Sequence, residues 1–193
     1  MRYTSIYLAS FRAGALSSSV KPINPRVSAI ISLGSHFSVK KLYHFDAPRG
    51  RYICDAAIIW CFDNRFELGF RKFLQRIGVV YWDAVKIAGG TKCLASPDRD
   101  SDRDFVLNQI RISARLHQTR RVILMLHSDC GAYGGLEKFE NNAAAERDNH
   151  CRELCKAAKI VADAIPGISV EGYFVDFDGV WALESGVGAT ASV

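Results

Sequence analysis

Two short stretches of the 193-residue chain concentrate side chains that bind metals. One reads Cys61-Phe-Asp63-Asn-Arg65, the other His127-Ser-Asp-Cys130-Gly131. A cysteine from one stretch with a histidine and a cysteine three residues apart in the other makes a soft Cys2His set, which suits zinc in tetrahedral geometry. Three protein ligands leave a fourth position open, the arrangement of a catalytic rather than a structural zinc. Asp63 lies two residues past its cysteine, close enough in sequence to reach that fourth position. Arg65 can grip the carboxylate with a two-pronged guanidinium and keep it ionised. Zinc lowers the pKa of its water towards about 7, so a hydroxide nucleophile is available near neutrality without a histidine base. Gly131 is expected to let backbone approach the site closely and to offer N–H groups to developing negative charge. Asp63 and Arg65 also fit a structural ion pair capping the next helix.

The elements that must hold these stretches can be read from Tyr52 onwards. Ile53–Cys61 is a continuous apolar run, the pattern of a strand buried on both faces. Arg65–Ile77 repeats Phe66, Phe70, Phe73, Leu74 and Ile77 at helical spacing, and Gly78 closes it. Ala84–Ala88 predicts a strand ending at Gly89–Gly90. Ser101-Asp-Arg-Asp104 resembles a capping box that opens a helix running to His117. Val122–Leu126 predicts a third buried strand, followed by the turn-rich stretch His127–Gly135. Ala143–Ile165 predicts a long helix stopped by Pro166–Gly167, and Ser169–Asp176 a last strand. The order β-α-β-α-β-α-β specifies an α/β fold with a mainly parallel central sheet flanked by helices. In such sheets ligands gather where strands end at their carboxyl edges, which is where both metal-binding stretches fall.

Charge and composition set limits. The chain is 49% hydrophobic and 23% charged, with a formal charge of +5. Residues 1–45 hold six basic side chains, nine serines and no acid, so the basic balance belongs to this extension. It gives no warrant for a nucleic-acid footprint on the folded part. A Ser- and Arg-rich stretch without acids also has the composition of an organelle transit peptide, a minor alternative to a flexible arm. No apolar run nears the roughly 18 residues that would suggest a membrane span. The six cysteines, at 54, 61, 93, 130, 151 and 155, are too few for a disulfide scaffold. The expectation is a cytoplasmic protein with a basic extension (residues 1–45) and one folded domain (residues 46–193).

Cys61-x-Asp63-x-Arg65 and His127-x-x-Cys130-Gly131-Ala132, about 60 residues apart, together resemble the β-class carbonic anhydrases, and in particular a short prokaryotic branch of them. The resemblance spans residues 53–178, with Trp82–Gly90 similar to the family's middle strand and its turn. It implies a β-carbonic-anhydrase-like fold and a zinc lyase that hydrates carbon dioxide to bicarbonate by a zinc-bound hydroxide. Cys61, His127 and Cys130 would be the ligands, and Asp63 and Arg65 the catalytic dyad. It also implies an Asp63 able to swing onto the metal, and a homodimer or higher homo-oligomer. Relatives that hydrolyse carbonyl sulfide or carbon disulfide give an alternative substrate, and a non-catalytic zinc-binding protein is the alternative of another class. Two features depart from the family: Lys86-Ile-Ala-Gly-Gly-Thr91 stands where an Arg-Asn-Ala-Gly-Asn type segment is usual, and the N-terminal region does not resemble the family's long helices.

The remaining reactive side chains read as structural. Cys151 and Cys155, at i and i+4, are expected as small core positions, Cys54 as core and Cys93 as loop. His117 and His150 are expected at the surface or at helix ends. Asp176-Phe-Asp178-Gly179 is similar to a phosphatase nucleophile motif but comes too late in the chain. The alternating Asp98, Asp100, Asp102 and Asp104 lack the glycine and terminal glutamate of a calcium loop and fit a solvated helix start.

Overall fold

The computed structural model describes residues 39–184. The chain divides at Ala47–Pro48, and the unit that follows carries all the regular structure among the described residues. Residues 39–47 are exposed and without helix or strand. Most of the Ser-rich extension lies outside the described residues.

Strand β1 (Ala56–Trp60) is buried along its whole length. Parallel partners flank it, β2 (Trp82–Lys86) on one side and β3 (Arg121–His127) on the other. β3 pairs in parallel with β4 (Ser169–Val175), and a short antiparallel β5 (Val180–Ala182) completes the order β2-β1-β3-β4-β5. β5 is not foreseen by the sequence reading: three residues are too few to show a period, and its pairing with Tyr173–Val175 is set by the turn at Asp176–Gly179, where Asp176 Oδ1 accepts from the N–H groups of Asp178 and Gly179.

Alternate residues of the central strands feed two cores. Ala57, Ile59, Val122, Leu124 and Leu126 pack with helices α2 (Lys92–Ala95), α3 (Asp100–Leu116) and α4 (Ala143–Ala164). Ala56, Ile58, Trp60, Ile123 and Met125 pack with α1 (Glu67–Arg76) through Phe70 and Leu74. Helices thus cover both faces, the condition under which a parallel sheet is stable. Gly78 ends α1 at φ +75°. Asn142 caps α4, its side-chain oxygen accepting from the N–H groups of Ala144 (3.0 Å) and Ala145 (3.1 Å).

Several local expectations are corrected. The first helix begins as a 3-10 turn at Asn64–Phe66 before α1 proper. The middle strand runs two residues earlier than its apolar pattern, because it is a half-buried edge strand in which Asp83 and Lys86 interrupt the apolar run. Ser101 lies inside α3 rather than capping it; Arg99 is the cap residue and makes no side-chain cap bond. Cys93 is in α2 and buried, whereas Cys155 is exposed and Cys151 half-buried. His150 is fully buried rather than near the surface.

Candidate metal centre

β1 and β3 run side by side and end at the same edge of the sheet. Cys61 follows the last residue of β1, His127 is the last residue of β3, and Cys130 opens a 3-10 turn at Gly131–Tyr133. The three side chains are buried, and one donor atom from each lies within 4.8 Å of the others. A tetrahedral zinc site, with bonds of about 2.0–2.3 Å, places its donors roughly 3.5–3.8 Å apart, so the cluster is of the right size. His127 Nδ1 is 2.8 Å from the Ser128 carbonyl, an acceptor only, so Nδ1 carries the proton. That leaves Nε2 as the lone-pair nitrogen, and it is buried with no hydrogen-bond partner. A second partner of this kind is the usual way a protein fixes the tautomer of a ligating histidine. The donor set and the orphaned Nε2 both fit a zinc ion. Trp60 and Phe66 pack against the ring, at 5.6 and 4.9 Å between centroids.

The thiols fit the same reading. Cys61 is held well below the usual thiol range, first by the neighbouring Cys130 thiol and also by the neighbouring His127, against the cost of burial. Cys130 is raised, first by the neighbouring Cys61 and then by burial. Without a metal the pair therefore shares one proton. Burial would lower the His127 pKa, but the adjacent Cys61, the Ser128 carbonyl and the negative charge of Asp63 raise it on balance.

A tight turn fixes Cys61 from the β2 side. Ile87 N–H donates to the Trp60 carbonyl (3.1 Å), and the buried Thr91 hydroxyl donates to the Met125 carbonyl (3.1 Å). Gly90, at φ +50°, sits so close that a Cβ there would lie 2.8 Å from Cys61 N and 2.9 Å from Trp60 C. Gly89, at φ +71°, faces Ala132 at 2.9 Å in the same sense. Gly131 plays no such part: its φ is not positive, and nothing lies within 4 Å of where its Cβ would be. The close approach expected of Gly131 belongs to the Gly89–Gly90 turn.

Asp63 and Arg65 meet as their spacing suggests. Arg65 Nη2 donates to Asp63 Oδ2 at 2.7 Å, and Nε reaches both carboxylate oxygens at 3.0 and 3.1 Å. The Arg65 backbone N–H also donates to Asp63 Oδ1 (2.9 Å), so Asp63 caps the Asn64–Phe66 turn while it pairs with the guanidinium. Both earlier readings of the pair, cap and dyad, are compatible with this geometry. The guanidinium, foremost, holds the Asp63 carboxyl below its ordinary range. Asp63 Oδ2 is 4.0 Å from His127 Nε2 and so borders the donor cluster. A cavity of about 380 Å³ opens over it, walled by Phe62, Ala88, Gly89 and Ala132 beside the four polar residues.

Two further residues join the site that the sequence reading assigns no role. Asp129, inside the His127–Cys130 stretch, accepts from Arg65 Nη1 at 2.8 Å, and its carbonyl accepts from Nη2 at 3.0 Å. Glu146 on α4, only 1% exposed, accepts the Asp129 backbone N–H at 2.7 Å. An acid lying between two soft ligands is the one signal that would have marked Asp129; nothing local marks Glu146.

The sheet order, the two strand-end loops and the soft donor cluster define a protein with a β-carbonic-anhydrase fold. Residues 53–184 match the family described as "Putative carbonic anhydrase", and the chain belongs to that family. It is 27% identical over 126 residues to an uncharacterized protein of Rickettsia bellii, covering 64% of this chain and 77% of that one. A second uncharacterized protein, from Rickettsia conorii, is 25% identical over 126 residues, covering 64% and 68%. Among solved structures, the β-carbonic anhydrase isoform I of Trichomonas vaginalis superposes with a TM-score of 0.50 at 16% identity, over 75% of this chain and 90% of that one. At that identity the likeness speaks for the fold.

Proposed function

We propose that this protein is a zinc-dependent lyase that hydrates carbon dioxide to bicarbonate. Cys61, His127 and Cys130 hold the ion, Asp63 is the catalytic carboxylate and Arg65 its partner. The observation that carries the reading is the Cys-His-Cys donor cluster within 4.8 Å, with the Arg65-bound carboxylate of Asp63 at its edge, 4.0 Å from His127 Nε2. Zinc held there supplies a Lewis acid that brings the pKa of a water towards about 7. Asp63 is held ionised by Arg65 and is therefore an acceptor only. Asp63 would therefore accept a proton from a water or hydroxyl beside it and hold that group in one orientation. Phe62, Ala88, Gly89 and Ala132 give that cavity an apolar wall, which suits a small uncharged linear substrate.

Two further points support the setting. No helix among the described residues is long and apolar enough to cross a membrane. All six cysteines are free thiols, which agrees with a reducing, cytoplasmic compartment. A homodimer or higher assembly is part of the same reading, and Phe62, which lines the cavity, exposes more than half of its surface.

The test is stopped-flow carbon dioxide hydration on purified protein between about pH 7 and 9, with zinc content measured in parallel. One zinc per chain and activity that rises with pH are expected. One zinc per chain without hydration overturns the lyase assignment and transfers the site to carbonyl sulfide, carbon disulfide or a binding role. Absence of zinc overturns the metal reading itself.

A further inference from the structure

The last register pair between β1 and β3 is Ile59 with Leu124. Cys61 lies two residues past that pair on one strand, and His127 and Cys130 lie three and six past it on the other. Beyond the ladder, the two loops are also joined through side chains. Arg65 spans them. It donates to Asp63 in its own loop and to the Asp129 carboxylate and carbonyl in the other. Its guanidinium carbon lies 5.7 Å from the Phe66 ring centroid and 5.6 Å from that of Phe177, which fixes the plane of the fork.

Asp129 is committed at every polar atom. Its N–H donates to the buried Glu146 (2.7 Å), its carbonyl accepts from Arg65 (3.0 Å), Oδ2 accepts from Arg65 (2.8 Å), and Oδ1 accepts from the Leu136 N–H (3.1 Å). Its backbone stands at φ +53°, a conformation uncommon outside glycine, held by these four bonds. Glu146 anchors the whole arrangement to α4. A guanidinium pinned from two sides by planar carboxylates is a rigid cross-link, which a lysine could not supply.

We infer that Asp129 is a positioning residue that clamps Arg65 to the β3 loop, setting both the separation of Cys61 from His127 and Cys130 and the orientation of Asp63. The inference rests on the metal-site reading given above. A plain structural role in the 128–136 turn is the competing account, and the asparagine variant separates the two. Asp129→Asn keeps the side-chain oxygen for Leu136, both backbone bonds and a residue type that tolerates positive φ. It loses the carboxylate facing Arg65 Nη1.

The experiment is competitive titration of metal-free wild type and Asp129→Asn with zinc against a chromophoric chelator, together with the visible spectra of the cobalt-substituted proteins. Loss of a partner that orients metal ligands typically costs 10- to 100-fold in affinity. Asp129→Asn should still bind one ion per chain, about 10- to 100-fold more weakly, with altered cobalt bands. Equal affinity and superimposable spectra overturn the inference while leaving the metal site intact. Failure of the wild type to bind zinc or cobalt overturns the metal site and the inference together. Arg65→Met supplies the second arm: in that background Asp129→Asn should change affinity by less than about twofold, since both changes break one clamp. A full tenfold loss there means that Asp129 acts through the turn alone, and the inference falls.

Discussion

A Cβ added to Gly90 would lie 2.8 Å from the backbone nitrogen of Cys61. The turn after β2 and the Cys61 loop are thus in backbone contact, with room only for hydrogen. Gly90→Ala adds this overlap to a φ of +50° that disfavours any side chain. The expected cost is about 2–4 kcal/mol by urea unfolding, with weaker zinc binding. Gly69, in the first turn of α1 with nothing within 4 Å, is the control: Gly69→Ala should stabilise by up to about 1 kcal/mol. Equal effects at the two positions would disprove the contact.

Cys61→Ser and Asp63→Asn should part company. Cys61 is one of three proposed ligands, and its serine variant should purify without stoichiometric zinc. Asp63 is outside the donor cluster, so Asp63→Asn should keep the zinc and lose activity by about 10²-fold or more. Elemental analysis beside stopped-flow hydration checks both. A zinc-free Asp63→Asn would make the carboxylate a ligand rather than a catalytic group.

Much of this centre is legible in the sequence because strand ends carry their chemistry locally. A run of small and branched apolar residues fixes β1 and β3, and whatever follows such runs falls at one edge of a parallel sheet. Cys61, Asp63, Arg65, His127 and Cys130 are therefore placed together by the sequence pattern alone. Asp129 and Glu146 are not, for different reasons. Asp129 has the look of a turn aspartate, and its partner Arg65 is 64 residues away. Glu146 carries only the look of a polar first-turn residue of a helix, and its burial is decided by what α4 packs against. β2 resists pattern reading as an edge strand, and Gly89 and Gly90 can be named as a turn without revealing that the turn touches Cys61.

Zinc affinity should depend steeply on pH. Cys130 is raised by the neighbouring Cys61 thiolate and by burial, and His127 is raised by Cys61, Ser128 and Asp63 despite its burial. The metal-free site therefore holds the Cys130 proton at neutral pH, and a zinc ion must displace it. Binding should release about one proton per zinc, that of Cys130, so affinity rises by about tenfold per pH unit near neutrality. Calorimetry in buffers of different ionisation enthalpy counts the protons. A pH-independent affinity between pH 6 and 8 would contradict the shared-proton cluster.

His150 should make the protein acid-labile. It is fully buried on α4 against Tyr133, Phe139 and Phe174, with neither ring nitrogen hydrogen-bonded. Burial first, and then the nearby His127, lowers its pKa from 6.5 to about 4. The unfolded chain therefore binds a proton between about pH 6.5 and 4 that the folded chain refuses, and stability falls as the pH drops through that window. The shift corresponds to about 3 kcal/mol once the pH is below both values, and to about 2 kcal/mol at pH 5. His150→Phe places a ring without orphaned nitrogens among the same aromatic neighbours. Its unfolding free energy should be flatter than that of wild type from pH 6.5 to 4, with the two curves converging above pH 7 apart from a constant packing difference. Parallel curves across the whole range would show that His150 does not carry the acid sensitivity.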